Sequence, residues 1–168
     1  LYENHQDTAN VLLRHPKFDP NQTDRNGQSA LHHLVGFGSD EAISALLENR
    51  AVEVNIQDRV GSTPLHLAVD RQRSEVVRRL LLTQHIRLDL IDKHGRTPLA
   101  LATWWGLKQI ALIIIDQSEA FPTPETSHVS PLLSAAKHGD EEIVRLLLPK
   151  TRYKHIGRDL DESGKGFL

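Results

Sequence analysis

Two adjacent tryptophans, Trp104 and Trp105, are the residues of this 168-residue chain best suited to contact another molecule. On a helix successive side chains are 100° apart, so these rings lie about 140° and 240° from Leu99, an expected core residue. They cannot both point into a core, and we expect at least one to be substantially exposed. Exposed tryptophan is enriched at the centres of protein interfaces. The alternative is packing, in which one ring covers a neighbouring unit and the other caps a loop.

Further binding side chains recur at intervals of 33 or 34 residues from Trp105, at Phe37, Arg71 and His138. A chain that repeats with this period places these four side chains in one row across its surface. Together with Trp104 they form what we call the aromatic row. Such a row suits a peptide that combines apolar anchors with acidic residues. The alternative is an internal stack of the Arg71 guanidinium on the Trp105 indole.

Three basic residues, Arg25, Arg59 and Lys93, are also 34 positions apart and form a second series, which we call the cationic ladder. At a spacing of about 10 Å, close to one Debye length, their charges repel little and sum to a positive edge that attracts carboxylates. Arg96 is expected to reinforce this edge. The alternative is that all of them are ordinary solvated charges at the tips of surface turns.

Residue types and spacing argue against catalysis and against a resident metal or cofactor. The chain has no cysteine, which excludes a thiolate nucleophile and any metal site with Cys ligands. Its ten histidines include no pair at the His-x₃-His spacing of a metal-binding helix. No nucleophile elbow or phosphate-binding loop is present. We therefore expect no enzyme activity, no metal and no cofactor.

A repeat positions these residues. Asp24, Asp58 and Asp92 are 34 apart, and each is followed three residues later by glycine. Each unit then has a helix-start signal, a Ser or Thr that can cap free backbone N–H groups, in most units followed by proline at the first helical position. These signals stand at Ser29, Thr63-Pro64, Thr97-Pro98 and Ser130-Pro131. Paired aliphatic residues follow in every unit and predict a second helix with one apolar stripe.

The second unit contains the run Thr63-Pro64-Leu65-His66-Leu67-Ala68, and four units keep the same phase. The chain thereby resembles the ankyrin-repeat family, whose unit is a turn followed by two helices. This resemblance implies an all-α repeat solenoid, a stack of helix-turn-helix units joined by β-turn or hairpin loops. It also implies that His32 and His66 tie neighbouring turns together, and that proteins bind along the concave side. Ala100 and Leu133 replace the histidine in the third and fourth units.

We expect a single ankyrin-repeat array over 1–168. Its units are a partial unit at 1–23, made mainly of a second helix, full units at 24–57, 58–91, 92–124 and 125–160, and the start of a truncated unit at 161–168. An irregular connection is expected at Pro122 and Pro124. The incomplete end units suggest a piece of a longer protein, and no secretion signal favours export, so we expect an intracellular protein, cytoplasmic or nuclear.

The sequence thus predicts a monomeric, noncatalytic protein-protein interaction module that binds a partner segment on its concave face. The expected partner is another protein, or another domain of the parent chain, with an acidic segment and apolar anchors. The formal net charge of −2 and the pI of 6.6 argue against nucleic acid, and no apolar run is long enough to enter a membrane. The alternative function is a structural spacer or an intramolecular regulatory clamp that packs on another domain of its own chain.

Overall fold

The computed structural model describes residue 15 and the ranges 18–117 and 129–149, which contain eight short helices. In chain order these are α1 (Ala30–Phe37), α2 (Asp40–Leu47), α3 (Pro64–Asp70), α4 (Ser74–Leu81), α5 (Pro98–Trp104), α6 (Lys108–Asp116), α7 (Pro131–Lys137) and α8 (Glu141–Leu147). The prediction of two helices in each of four successive units is confirmed.

The first helix of each unit begins where the capping signals predict. Thr63 Oγ1 accepts a hydrogen bond from the backbone N–H of His66, and Thr97 Oγ1 accepts one from Ala100, at 3.3 Å and 3.1 Å. Proline is the first residue of α3, α5 and α7, where its missing N–H removes no intrahelical bond. Local chemistry therefore determines these helix starts.

The helices form two layers. The first helices α1, α3, α5 and α7 pack on one another in chain order, and the second helices α2, α4, α6 and α8 do the same beside them. The apolar stripes meet between the layers, where Leu31, Leu65 and Leu99 of the first helices and Ile43 and Ile114 of the second helices are buried. The apolar stripe of each helix is buried against the other helix of its unit and against the helices of neighbouring units, as expected for a repeat stack.

In the first three full units an aspartate organises the opening turn, as at Asp58. Its Oδ1 accepts hydrogen bonds from the backbone N–H groups of Val60 and Ser62 at 2.9 Å and 2.8 Å. Successive turn tips are joined through the main chain, since Lys93 N donates to Val60 O at 2.8 Å. Within the described ranges the turns contain no β-strand. The expected hairpin loops are represented there by one isolated antiparallel bridge, between Thr23 and Ser29.

Two buried histidines link neighbouring units. His66 Nδ1 lies 2.9 Å from Thr63 Oγ1 and 3.3 Å from Thr63 N, and its Nε2 lies 2.9 Å from the carbonyl oxygen of Arg96 in the next unit. The ring is thus placed to accept the Thr63 N–H and to donate to that carbonyl. His32 repeats the arrangement with Ser29 and the carbonyl of Ser62. Burial lowers the pKa of both imidazoles, more than the carbonyl partners raise it, so the neutral form is favoured.

Several sequence predictions fall outside the described residues. They are most of the partial unit at 1–23, of which residues 1–14, 16 and 17 are not described, the connection at Pro122 and Pro124, the two ends of the fourth unit at 125–128 and 150–160, and the truncated unit at 161–168.

Candidate functional site

The aromatic row lies at the ends of the first helices. Phe37 is the last residue of α1, and Arg71, Trp105 and His138 directly follow α3, α5 and α7. Phe37 is 83% exposed, Trp105 57% and Trp104 48%. The prediction that at least one indole is substantially exposed is confirmed, since both indoles are exposed. The first and third units therefore present their exposed aromatic side chains at the corresponding ends of their first helices.

Cations from the next unit cover two of these rings. The Arg71 Cζ atom lies 5.3 Å from the centroid of the Phe37 ring, and the Lys137 Nζ atom lies 5.8 Å from a Trp104 ring. The internal stack of Arg71 on Trp105, stated above as an alternative, is wrong, because Arg71 turns toward the preceding unit instead. In the described part of the chain no cation covers Trp105. Trp105 is thus the uncovered ring between two cation–π pairs.

His138 fastens the end of the row. Its Nε2 lies 3.0 Å from the carbonyl oxygen of Trp104, which belongs to the last turn of α5. The imidazole therefore reaches back to the preceding unit and satisfies a carbonyl at a helix end. This contact holds the end of α5, where both tryptophans lie, against the fourth unit.

The cationic ladder lies on the exposed turn tips. The side chains of Arg25, Arg59 and Lys93 are exposed and make no ion pair with any residue of the described ranges. Arg96 differs, and the expectation that it reinforces the ladder needs correction. Its Nη2 and Nε donate to Asp92 Oδ2 at 2.6 Å and 2.8 Å, in an ion pair whose Arg96 side chain is only 18% exposed. Its charge is neutralised within its own unit.

The same ion pair affects the acid. Burial raises the pKa of Asp92, but the hydrogen bonds from the Arg96 guanidinium and from the backbone N–H groups of Arg96 and His94 outweigh burial, and the pKa lies below its ordinary value. Asp92 is therefore a structural carboxylate that stays charged and holds the turn.

One contact joins the ladder to the row. His33 Nε2 lies 3.2 Å from Asp24 Oδ2, and Asp24 precedes the ladder residue Arg25. His33 and Phe37 are four residues apart on α1 and so lie on the same side of that helix. The ladder and the row are therefore the two borders of one surface, which we call the row–ladder face.

The described cations fall into two groups. Those with a carboxylate partner are Arg73, Arg79, Arg87, Arg96, Lys108 and Arg145. Those without a carboxylate partner among the described residues are Arg25, Arg50, Arg59, Arg71, Arg78, Lys93 and Lys137. Four of these seven belong to the row–ladder face, and a fifth, Lys137, lies over the Trp104 ring of that face. Unpaired positive charge is thus concentrated on this face.

Away from the row–ladder face, the fourth unit carries a depression. This depression lies between α6 and α8 and is open to solvent. Its charged groups neutralise each other, since Lys108 pairs with Glu142 and Arg145 with Glu141. Residues 18–117 and 129–149 bring together no group of three His, Asp or Glu side chains that could hold a metal ion. None of the helices in these ranges is long and apolar enough to cross a membrane.

We compared the chain with models of known protein families, and one family model matches it. A family model described as "Ankyrin repeats (3 copies)" matches residues 1–86 and 52–126. The chain belongs to the ankyrin-repeat family. Ankyrin repeats are generally protein-protein interaction modules and are typically noncatalytic. None of the curated proteins matches the chain.

Two sets of contacts in this ankyrin array were missed by the sequence analysis. Arg73 Nη1 donates to the carbonyls of Leu34 and Val35 at the end of α1, and its Nη2 donates to Asp40 at 2.5 Å. Arg79 also reaches back to the preceding unit, where it donates to the Asp40 carbonyl at 2.9 Å and to Ser44 Oγ. No sequence motif predicts these contacts of Arg73 and Arg79.

The second set did carry a signal. Asn55 Nδ2 donates to the carbonyl of His85, and Asn55 Oδ1 accepts from Arg87 N, at 2.8 Å and 2.9 Å. Asn21 makes the same two bonds to residues of the next loop. Since Asn21 and Asn55 are 34 apart, the repeat phase could have identified them as bridges between loops.

Proposed function

We propose that this ankyrin-repeat chain is a noncatalytic protein-protein interaction module that binds a segment of another protein on its row–ladder face. The observation that carries the proposal is the exposure of Phe37, Trp104 and Trp105, which lie at corresponding ends of the first helices of two units. Large exposed aromatic side chains that converge on one surface are typical of interface centres. The chain acts as a monomer in this proposal, with one partner segment for each array.

The unpaired cations define the chemistry of the partner. Arg25, Arg59 and Lys93 border the face on one side, and Arg71 and Lys137 accompany the aromatic rings on the other. A segment with apolar anchors for the rings and carboxylates for the cations complements this pattern. Because the chain has a formal net charge of −2, this attraction is local to the face and does not arise from the overall charge.

The test begins by identifying the partner with crosslinking mass spectrometry and then measures its affinity by titration calorimetry. Trp105→Ala should weaken binding by about 2 kcal/mol or more, which is about 30-fold in Kd. The matched control is Leu82→Ala, because Leu82 is 76% exposed but lies at the end of α4, in the second-helix layer. That variant should bind as the unchanged chain does.

Salt provides an independent measurement on the same complex. Binding that uses the ladder should weaken as ionic strength rises, since exposed charges are screened. Equal affinities of the Trp105→Ala and Leu82→Ala variants would contradict the proposal. Crosslinks confined to the second-helix layer would contradict it as well.

A further inference from the structure

The outer side of the fourth unit is apolar and open to solvent. Leu133 on α7 is 64% exposed, and Leu148, just after α8, is 39% exposed. The residues at the repeat position of Leu133 in the three preceding units are at most 1% exposed; they are His32, His66 and Ala100. Ala136 and Val144 line an open depression between α7 and α8. We call the surface formed by these four residues of the fourth unit the end face.

The preceding units show what covers the corresponding surface elsewhere in the stack. The imidazole of His66 meets the opening turn of the next unit, since its Nε2 lies 2.9 Å from the carbonyl oxygen of Arg96. Arg96 stands four residues after the unit-opening Asp92. The counterparts of Val144 are fully buried as well; they are Ile43, Val77 and Ala111. The cover that fits the end face is therefore an opening turn together with the first residues that follow it.

We infer that the end face binds the segment that follows α8 in the same chain, residues 150–168, with Leu168 buried against the fourth unit. This segment lies outside the described residues. The inference concerns a contact within the chain, and it does not depend on the partner proposed for the row–ladder face.

The segment has the spacing of a unit opening. Asp161 and Gly164 are three positions apart, as are the aspartate and glycine that open the first three full units. Leu168 stands four residues after Gly164, which is the position of three first-helix leucines that are 0–3% exposed, Leu31, Leu65 and Leu99. The segment therefore supplies both the turn and the first core residue of the cover.

The connection is long enough to place that turn on the end face. Asp161 follows Leu148 by 13 positions, whereas 11 positions separate Leu81 from Asp92 at the corresponding place one unit boundary earlier. An extended chain spans about 3.3–3.6 Å per residue, and successive units are about 8–10 Å apart. The segment can therefore reach the next level of the stack, as the shorter connection does.

The chemistry of Leu133 also suits this cover. His32 and His66 occupy its repeat position and are hydrogen-bonded to a carbonyl of the next unit, but a leucine side chain has no N–H to donate. Its favourable neighbours are apolar, and Phe167 and Leu168 are apolar. An uncovered apolar end is unfavourable for a repeat stack in water.

The covalent connection favours this segment over other occupants. A segment joined by a short flexible linker acts at a roughly millimolar effective concentration. A second copy of the chain, or a separate protein, must exceed that concentration or bind more tightly to replace it. We therefore assign the end face to the chain's own residues 150–168.

Thiol labelling of the full chain measures whether the end face is covered. The chain has no cysteine, so Leu133→Cys introduces a single thiol on this face. Leu82→Cys is the matched control, because Leu82 is 76% exposed at the end of α4, in the second-helix layer. Modification by N-ethylmaleimide, followed by mass spectrometry, gives both rates. The Leu133→Cys chain should react at least about tenfold more slowly, since its thiol is accessible only when the segment opens.

Two further substitutions, each made in the Leu133→Cys chain, identify the cover. Leu168→Asp places a charge at a position expected to be buried, so it should raise the labelling rate nearly to that of Leu82→Cys. Ser163→Asp adds the same charge at a turn-tip position, whose counterparts Asn26, Val60 and His94 are exposed, and it should leave the slow rate unchanged. Circular dichroism of each variant checks that the helices are retained.

Labelling of Leu133→Cys as fast as that of Leu82→Cys would overturn the inference, because the end face would then be open. Slow labelling that Leu168→Asp does not accelerate would also overturn it, since something other than the segment would cover the face. Slow labelling that becomes fast when the chain is diluted would assign the end face to a second copy instead.

Discussion

Two glycines with nearly the same backbone angle allow the contact between turn tips to be measured. Gly61 has φ +74° and Gly139 has φ +73°, in the left-handed region that side chains disfavour. A Cβ added at Gly61 would lie 3.1 Å from the carbonyl oxygen of Ile91 and 3.2 Å from the Cα of Asp92, in the next unit. A Cβ added at Gly139 would meet nothing within 4 Å. The two alanine variants share the backbone strain and differ in the steric contact.

The expected magnitudes follow from these contacts. Alanine in the left-handed region loses about 1–2 kcal/mol, and the reduced freedom of its unfolded chain returns about 0.4–1 kcal/mol. Gly139→Ala should therefore lower the free energy of unfolding by about 1 kcal/mol. Gly61→Ala must also displace the next tip and weaken the bond from Lys93 N to Val60 O, which contributes about 1 kcal/mol or more. We expect a total loss of about 2–3 kcal/mol for Gly61→Ala.

Urea unfolding followed by circular dichroism measures both variants, and hydrogen exchange at Lys93 N locates the effect. That amide should lose protection in Gly61→Ala and keep it in Gly139→Ala. Equal losses of stability in the two variants, with equal protection of the Lys93 amide, would refute the view that close tip packing excludes a Cβ at Gly61.

Two further predictions concern contacts between units. Because burial lowers the pKa of His32 and His66, the unfolded chain binds more protons below the ordinary imidazole pKa of about 6.5. Their contribution to stability should be intact above about pH 6.5 and lost as the pH falls through the lowered values, with a slope of up to about 2.7 kcal/mol per pH unit in urea titrations. His66→Gln should reduce that slope by about half, and an unchanged slope would contradict it. Arg73→Met should lower the free energy of unfolding by about 2 kcal/mol, since Asp40 loses its partner and two α1 carbonyls lose their donor, whereas Arg78→Met should have little effect.

The helices and the units could be predicted from the sequence because their causes are local or periodic. A threonine that caps an N–H three residues away acts within one turn, so Thr63 and Thr97 announce their helices without reference to the rest of the chain. The exposure of at least one indole followed from the helical angles at Trp104 and Trp105. Such features depend on spacing alone.

The side-chain partners across units could not be predicted in the same way. The repeat places Arg71 next to both Phe37 and Trp105, and only rotamers and packing decide that it covers Phe37. Arg96 has the type and position of a ladder residue, yet it forms an ion pair with Asp92, four residues earlier, which neutralises its charge. A period identifies neighbouring positions, but it does not identify which of several neighbours a long, flexible side chain contacts.

In three residues of the row–ladder face the backbone has a structural role that does not depend on the side chain. The backbone N–H of Arg59 donates to Asn26 O and joins two tips, while the Arg59 side chain forms no ion pair with another described residue. The backbone N–H groups of Arg71 and Trp105 close the last turns of α3 and α5 by bonding to Leu67 O and Leu101 O. Any residue with an N–H can make these bonds, so the side chains can change with little effect on folding. Substitutions at Arg59, Arg71 and Trp105 should therefore alter partner affinity far more than they alter the stability of the array, because recognition depends on side chains carried by the fold and not on the fold itself.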